Sequence, residues 1–243
     1  MLHLLAVFML LVGISANTFA QYSGGLGTEE APYQIATAAD MQTLANTVAG
    51  GTDYAGVYFS VCQDIDLAGV AMQPIGTATT PFKGVFKGGG YTLSNLTLNL
   101  PGSDNVGLFG YASSANISNF FLKSVNITGA DCVGGIIGYA TLNTAVGQVL
   151  VTGTITGANK VGGLIGSAEV QVQLETSTNC ADVEATGSYV GGILGYAYDN
   201  TFFSEIVLVL SPPHKVEHPH LHFFLASLDY IEEIFNILKI NML

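Results

Sequence analysis

The sequence predicts an all-β protein, a right-handed parallel β-helix with a short N-terminal capping helix and an atypical, helical C-terminal tail. Three observations carry that expectation. A short Val-Gly string recurs at near-constant spacing, the residues between its copies alternate apolar and polar, and the composition favours strands and turns over helices. Of the 243 residues, 49% are apolar and only 10% charged, with 30 glycines and no tryptophan. So many apolar residues can build a large core. Uncharged Thr, Ser and Asn remain to cover the outer faces, as short strands joined by many turns require.

Four copies of the string stand in the chain: Val106-Gly-Leu-Phe-Gly110, Val133-Gly-Gly-Ile-Ile-Gly138, Val161-Gly-Gly-Leu-Ile-Gly166 and Val190-Gly-Gly-Ile-Leu-Gly195. The repeat positions are Val106, Gly107 and Gly110; Val133, Gly134, Gly135 and Gly138; Val161, Gly162, Gly163 and Gly166; Val190, Gly191, Gly192 and Gly195. Their starts lie 27, 28 and 29 residues apart, and Tyr-Ala or Ser-Ala follows each time. A fixed period of this kind means stacked units, none of which can bury its apolar face alone. Between the copies, Leu96, Leu98 and Leu100, then Val125 and Ile127, then Val149, Val151 and Ile155 alternate with polar residues. Period two is a strand pattern, with one side inward. Gly129-Ala130, Gly157-Ala158 and Gly187-Ser188 mark turns before the later copies. Each unit thus supplies two or three short strands and two turns, which is one coil of a parallel β-helix. The paired glycines are expected to admit positive φ and to let successive coils approach without a Cβ between them.

Through these four strings the chain resembles the GLUG repeat family of bacterial secreted and surface proteins, some of them peptidases or adhesin-like. The segment ahead of the repeats agrees, through Gly27-Thr-Glu-Glu-Ala-Pro-Tyr33, Asp64-Ile-Asp-Leu67, Pro74-Ile-Gly76 and Phe82-Lys-Gly-Val-Phe-Lys-Gly-Gly-Gly90. The resemblance covers roughly residues 24 to 200. It implies the β-helix and a cell-surface or secreted setting; with the leader, the array and the absence of catalytic groups, a non-enzymatic, adhesin-like role is expected.

Four stretches divide the chain: 1–20, 21–105 with the N-terminal cap and first coils, 106–200 with the repeats, and 201–243. Residues 1–20 form an apolar run ending in Thr18-Phe19-Ala20, as a cleaved secretory signal does, and the run is too short to span a bilayer comfortably. Secretion or cell-surface display is expected, with no membrane insertion after cleavage. In the first coils, Met41, Leu44, Ala45 and Val48 fall at helical spacing behind a Thr37 cap with Asp40 three residues on, and Gly50-Gly51 ends the pattern. After Thr201 the glycines cease. Helical spacing reappears through Leu225, Leu228, Ile231, Ile234, Phe235 and Leu238, which reads either as a cap on the last coil or as an unrelated segment following a cut-short array.

Charge narrows the partners. The net charge is −12, from 18 acidic and 6 basic residues, and every basic residue is lysine. Nucleic acid needs clustered Lys and Arg to replace counterions, and anionic lipid repels an acidic surface. An extracellular glycan or protein is the remaining class of partner. Cys62, Cys132 and Cys180 are an odd number without metal or redox spacing, and read as small buried hydrophobes.

Two groups of residues could carry chemistry. Asp64 and Asp66 on one strand would place two carboxylates on one face about 7 Å apart, a separation that suits inverting glycoside hydrolysis. His214, His218, His220 and His222 could gather a transition metal, though the Pro-rich segment around them offers no preorganisation. No nucleophile elbow, zinc-protease helix, phosphate loop or calcium nonapeptide occurs, and no cofactor is implied.

Overall fold

A computed structural model describes residues 21–198 in full, with the backbone of 202–204 and 207–208. Residues 1–20, where a signal peptide is expected, the C-terminal tail and His214, His218, His220 and His222 lie outside the described residues. The chain winds into a parallel β-solenoid of about six turns. Along one face the strands Tyr33–Ile35, Tyr58–Val61, Val85–Lys87, Asn116–Thr128, Ala145–Gly157, Gln173–Glu175 and Phe202–Ser204 stack in that order, each parallel to the next. A second face stacks Phe109–Ser113, Ile137–Thr141, Ile165–Glu169 and Leu194–Tyr198. A third, shorter one stacks Asp131–Gly134, Asn159–Gly162 and Val190–Gly191.

The repeats stack in register. Val106 pairs with Val133, Val133 with Val161 and Val161 with Val190. Phe109, Ile137, Ile165 and Leu194 likewise form one buried rank. The sequence period is therefore the coil itself.

The repeat glycines do only one of the two things expected of them. None adopts positive φ. What they supply is close approach between coils. A Cβ on Gly166 would lie 2.5 Å from the Cys132 carbonyl carbon and the Val133 nitrogen, and one on Gly138 would lie 2.4 Å from the Asn105 carbonyl carbon. These contacts are with backbone, which cannot rotate away.

Positive φ falls instead on non-glycine residues at the corners. Asn105, Cys132, Lys160 and Tyr189, each just ahead of a Val-Gly string, have φ of 58°, 59°, 53° and 64°. Further corners stack at Asn119, Gln148 and Thr176, at Asn95 and Ser124, and at Ser114, Leu142 and Val170. The coil thus turns more often than the two turns expected, and strand Asn116–Thr128 bends at Asn119 and Ser124. Side chains tie one corner to the next. Asp104 Oδ1 accepts the Asp131 amide at 3.1 Å, Asp131 Oδ1 accepts Asn159 Nδ2 at 2.9 Å, and Asn159 Oδ1 accepts the Ser188 amide at 2.8 Å.

One continuous core runs from Tyr22 to Leu194, and its character changes along the axis. The early coils are aromatic: Phe82 lies 5.0 Å from Phe109, Phe109 5.4 Å from Phe86, and Phe86 5.7 Å from Phe120, measured between ring centroids. The later coils pack Ile136, Ile137, Val151, Ile155, Leu164 and Ile165, all buried. Full burial of each such side chain contributes roughly 1.5–3 kcal/mol.

The N-terminal cap forms as the spacing predicts. Helix α1 (Ala38–Ala49) buries Met41, Leu44, Ala45 and Val48 and ends at Gly50. Thr37 and Asp40 make a reciprocal capping box. Ser23 and Gly24 bond the backbone of Gln34, so the outer edge of the first strand is paired rather than open.

Asp40 joins these pieces. Its Oδ2 accepts hydrogen bonds from Ser23 Oγ at 2.7 Å, the Ala36 amide at 3.0 Å, the Thr37 amide at 2.9 Å and Thr37 Oγ1 at 2.8 Å. Burial pushes the carboxyl pKa up, but these four donors outweigh it and hold it below the ordinary carboxylate value. Because the folded pKa is depressed, the stabilisation is present above the unfolded value near 4 and fades as pH falls through the folded one. Asp40→Asn is expected to cost about 1–2 kcal/mol at neutral pH. Denaturant unfolding from pH 7 down to pH 2 checks this, since the gap between wild type and variant must narrow below pH 4.

Candidate binding face

The expected carboxylate pair is exposed on one side of its segment, but both members are engaged structurally. Asp64 Oδ1 accepts the Thr92 amide at 2.8 Å, which belongs to the next coil. Asp66 Oδ1 accepts Asn95 Nδ2 at 2.8 Å and the Ala68 amide at 2.9 Å, and these bonds lower its pKa. A carboxylate held in the charged form by neighbours is a poor general acid. Among the described residues no three His, Cys, Asp or Glu side chains gather into a metal-holding set. Of the cysteines, Cys132 is buried and its thiol is pushed up to about 11 by that burial, whereas Cys62 is exposed, contrary to the buried reading.

The long strands present a polar rank outward. Thr97, Asn126, Thr154 and Asp182 occupy one register position, and Asn99, Thr128, Thr156 and Glu184 the one two residues on. The chemistry changes from coil to coil, so no regular threonine lattice forms.

The second face carries a different rank. Tyr111, Tyr139, Ser167 and Tyr196 share one register position, on the side opposite the buried alanines Ala112, Ala140 and Ala168. Tyr111 and Tyr139 stack with centroids 4.6 Å apart. Tyr139 donates its hydroxyl hydrogen to Glu169 Oε2, and burial together with that carboxylate raises the phenol pKa. Beyond the serine, Lys160 Nζ lies 4.6 Å from the Tyr196 ring centroid, and Tyr189 packs edge-on against Tyr196 at 5.1 Å. Tyr189 and Tyr198 are 48% and 60% exposed. Sequence reasoning recorded the recurring Tyr-Ala and Ser-Ala but did not place these rings on one outward rank; their fixed offset from the glycines was the available signal.

The other lysines among the described residues are engaged too. Lys87 and Lys123 lie over the rings of Tyr58 and Phe121, and Lys83 pairs with Asp53 at 2.8 Å. Among the described residues no helix is long and apolar enough to cross a membrane.

No family model matches the chain. Halomucin of Haloquadratum walsbyi is 37% identical over 128 residues, which is 47% of this chain and 1% of that protein. A candidate Gly-rich membrane protein of Evansella cellulosilytica is 32% identical over 114 residues, 44% of this chain and 12% of its own. The chain therefore spans only a small part of either relative's length. Among solved structures, a candidate immunoglobulin A1 protease from Bacteroides ovatus superposes with a TM-score of 0.57 over 77% of this chain and 70% of its own, at 17% identity. What is shared is the fold.

Proposed function

We propose that the chain is a non-enzymatic, secreted or cell-surface β-helix of the GLUG type that binds an extracellular glycan or protein along its side, as an adhesin does. The observation that carries this reading is the pair of outward ranks, one polar and one tyrosine-rich, on a rigid repeating core. Two sequence relatives are named halomucin and a Gly-rich membrane protein, which supports a surface setting. Both are far longer than the matched stretch, which supports a role as the repeat region of a larger surface protein. Carbohydrate cleavage by Asp64 and Asp66 is the weaker reading, since both carboxylates are committed to neighbouring coils.

The test is saturable binding of the full chain to an array of glycans and extracellular-matrix proteins, run beside a polysaccharide-degradation panel. Binding without turnover is expected. Turnover that disappears in Asp64→Ala would replace the adhesin reading with an enzyme.

A further inference from the structure

The tyrosine rank is broken at one place. Tyr139 and Tyr196 hold the register positions on either side of Ser167, so two aromatic side chains stand one coil away from it in each direction. Adjacent parallel strands lie about 4.8 Å apart, which puts the two tyrosine backbones about 9.6 Å from each other with only a serine between. Ser167 is fully buried, and its Oγ has no hydrogen-bond partner. A buried hydroxyl without a partner costs about 1–3 kcal/mol, so a reason for keeping it is needed. Because parallel register keeps side chains on the same side, that hydroxyl points the way the two tyrosines do.

Two contacts bridge the serine rank. Lys160, from the coil of Ser167, reaches the ring of Tyr196 one coil on. Tyr139, one coil back, reaches Glu169, two residues beyond Ser167. Both contacts are made by side chains that can change rotamer. They bring one ammonium and one carboxylate, of opposite sign, to the two sides of the serine rank. A neutral ligand suits such a place better than an ionic one. Ring faces for stacking, a carboxylate, an ammonium and a spare hydroxyl together fit a ring that has both apolar C–H faces and several hydroxyls.

We propose that this break in the tyrosine rank, once Lys160 swings aside, is a subsite for a neutral pyranose of a glycan, a reading that rests on the adhesin function above and gives it an address. The sugar ring stacks on Tyr196 in place of Lys160. Its hydroxyls bond Ser167 Oγ and Glu169, and the exposed Tyr189 and Tyr198 continue the contact to neighbouring residues of the glycan.

The chain contains no tryptophan, so tyrosine emission is readable, and the part of the ligand-induced change that is lost in Tyr196→Ala belongs to the site. The full chain is titrated with neutral hexose oligosaccharides, namely glucan, mannan and galactan series, in parallel with matrix proteins. Tyr196→Ala is expected to weaken glycan binding about tenfold or more. Ser167→Ala is expected to weaken it while leaving thermal stability equal or higher, a combination that a merely structural serine would not give. Glu30→Ala, at an exposed residue ahead of the first strand and outside both ranks, serves as the control and should bind as wild type does. Glycan binding that is indifferent to both Tyr196→Ala and Ser167→Ala overturns the subsite but leaves the adhesin reading standing, as does binding to a matrix protein and to no neutral glycan. Binding to nothing overturns both.

Discussion

Gly166→Val is expected to unfold the repeat stack at temperatures where the wild type is intact, with a loss of roughly 3 kcal/mol or more, at the upper end of the overpacking range. A Cβ there lies 2.5 Å from the Cys132 carbonyl carbon and the Val133 nitrogen and 2.6 Å from the Gly138 carbonyl oxygen. All three belong to the preceding coil. The backbone on that side is held in turn by its pairing with the coil before it, so relief at one glycine must propagate through ladder bonds. Gly147→Ala is the matched control. Its Cβ would meet Glu175 at 3.6 Å, an ordinary contact, and the change should stay within about 0.5 kcal/mol. Thermal melts followed by far-ultraviolet circular dichroism compare the two. Equal melting of both variants would mean that the repeat glycines are not there for close approach.

Phe109→Ala is expected to cost about 3–5 kcal/mol, the usual range for removing a fully buried phenylalanine. Phe109 is fully buried and touches both Phe82 and Phe86, so it joins the two aromatic lines of the early coils. In a solenoid each coil contacts only its neighbours, and a weak coil can uncouple the halves on either side. Denaturant unfolding is therefore expected to show two steps, the first belonging to the aromatic coils. Amide hydrogen exchange checks the assignment, because protection should be lost first around Phe59 and Phe86 and last around Val151 and Ile165. Phe121→Ala, at a side chain 39% exposed beneath Lys123, should change stability by less than about 1 kcal/mol.

The coil period was legible because the core side of each coil repeats its chemistry: valine over valine, and Phe109, Ile137, Ile165 and Leu194 in one rank. The capping helix was legible for the same reason on a smaller scale, since Thr37, Asp40 and the buried stripe from Met41 to Val48 are all local signals. The corners were not. Their left-handed backbone is shared by Asn105, Cys132, Lys160 and Tyr189, four residue types with no common preference for it, so no rule of turn composition marks them. Asp64 and Asp66 are a different case. Their spacing does put both carboxylates on one face, but spacing alone could not reveal that the Thr92 amide and the Asn95 side chain were already waiting one coil on. The tyrosine rank fell between these cases. Its recurrence was visible, whereas the lone serine becomes meaningful only when its neighbours across the sheet are known.

The left-handed corners have a consequence for how such a chain diverges. A left-handed residue other than glycine or asparagine is strained by about 1–2 kcal/mol, and here the strain is imposed by the ladder on either side rather than invited by the residue itself. Folding therefore asks little of the corner side chain, whose identity is free to drift. Selection for a new partner can rewrite the exterior corner by corner while the valines and close-packed glycines inside stay under constraint. A lineage evolving in this way keeps its backbone path long after most of its outward side chains have changed.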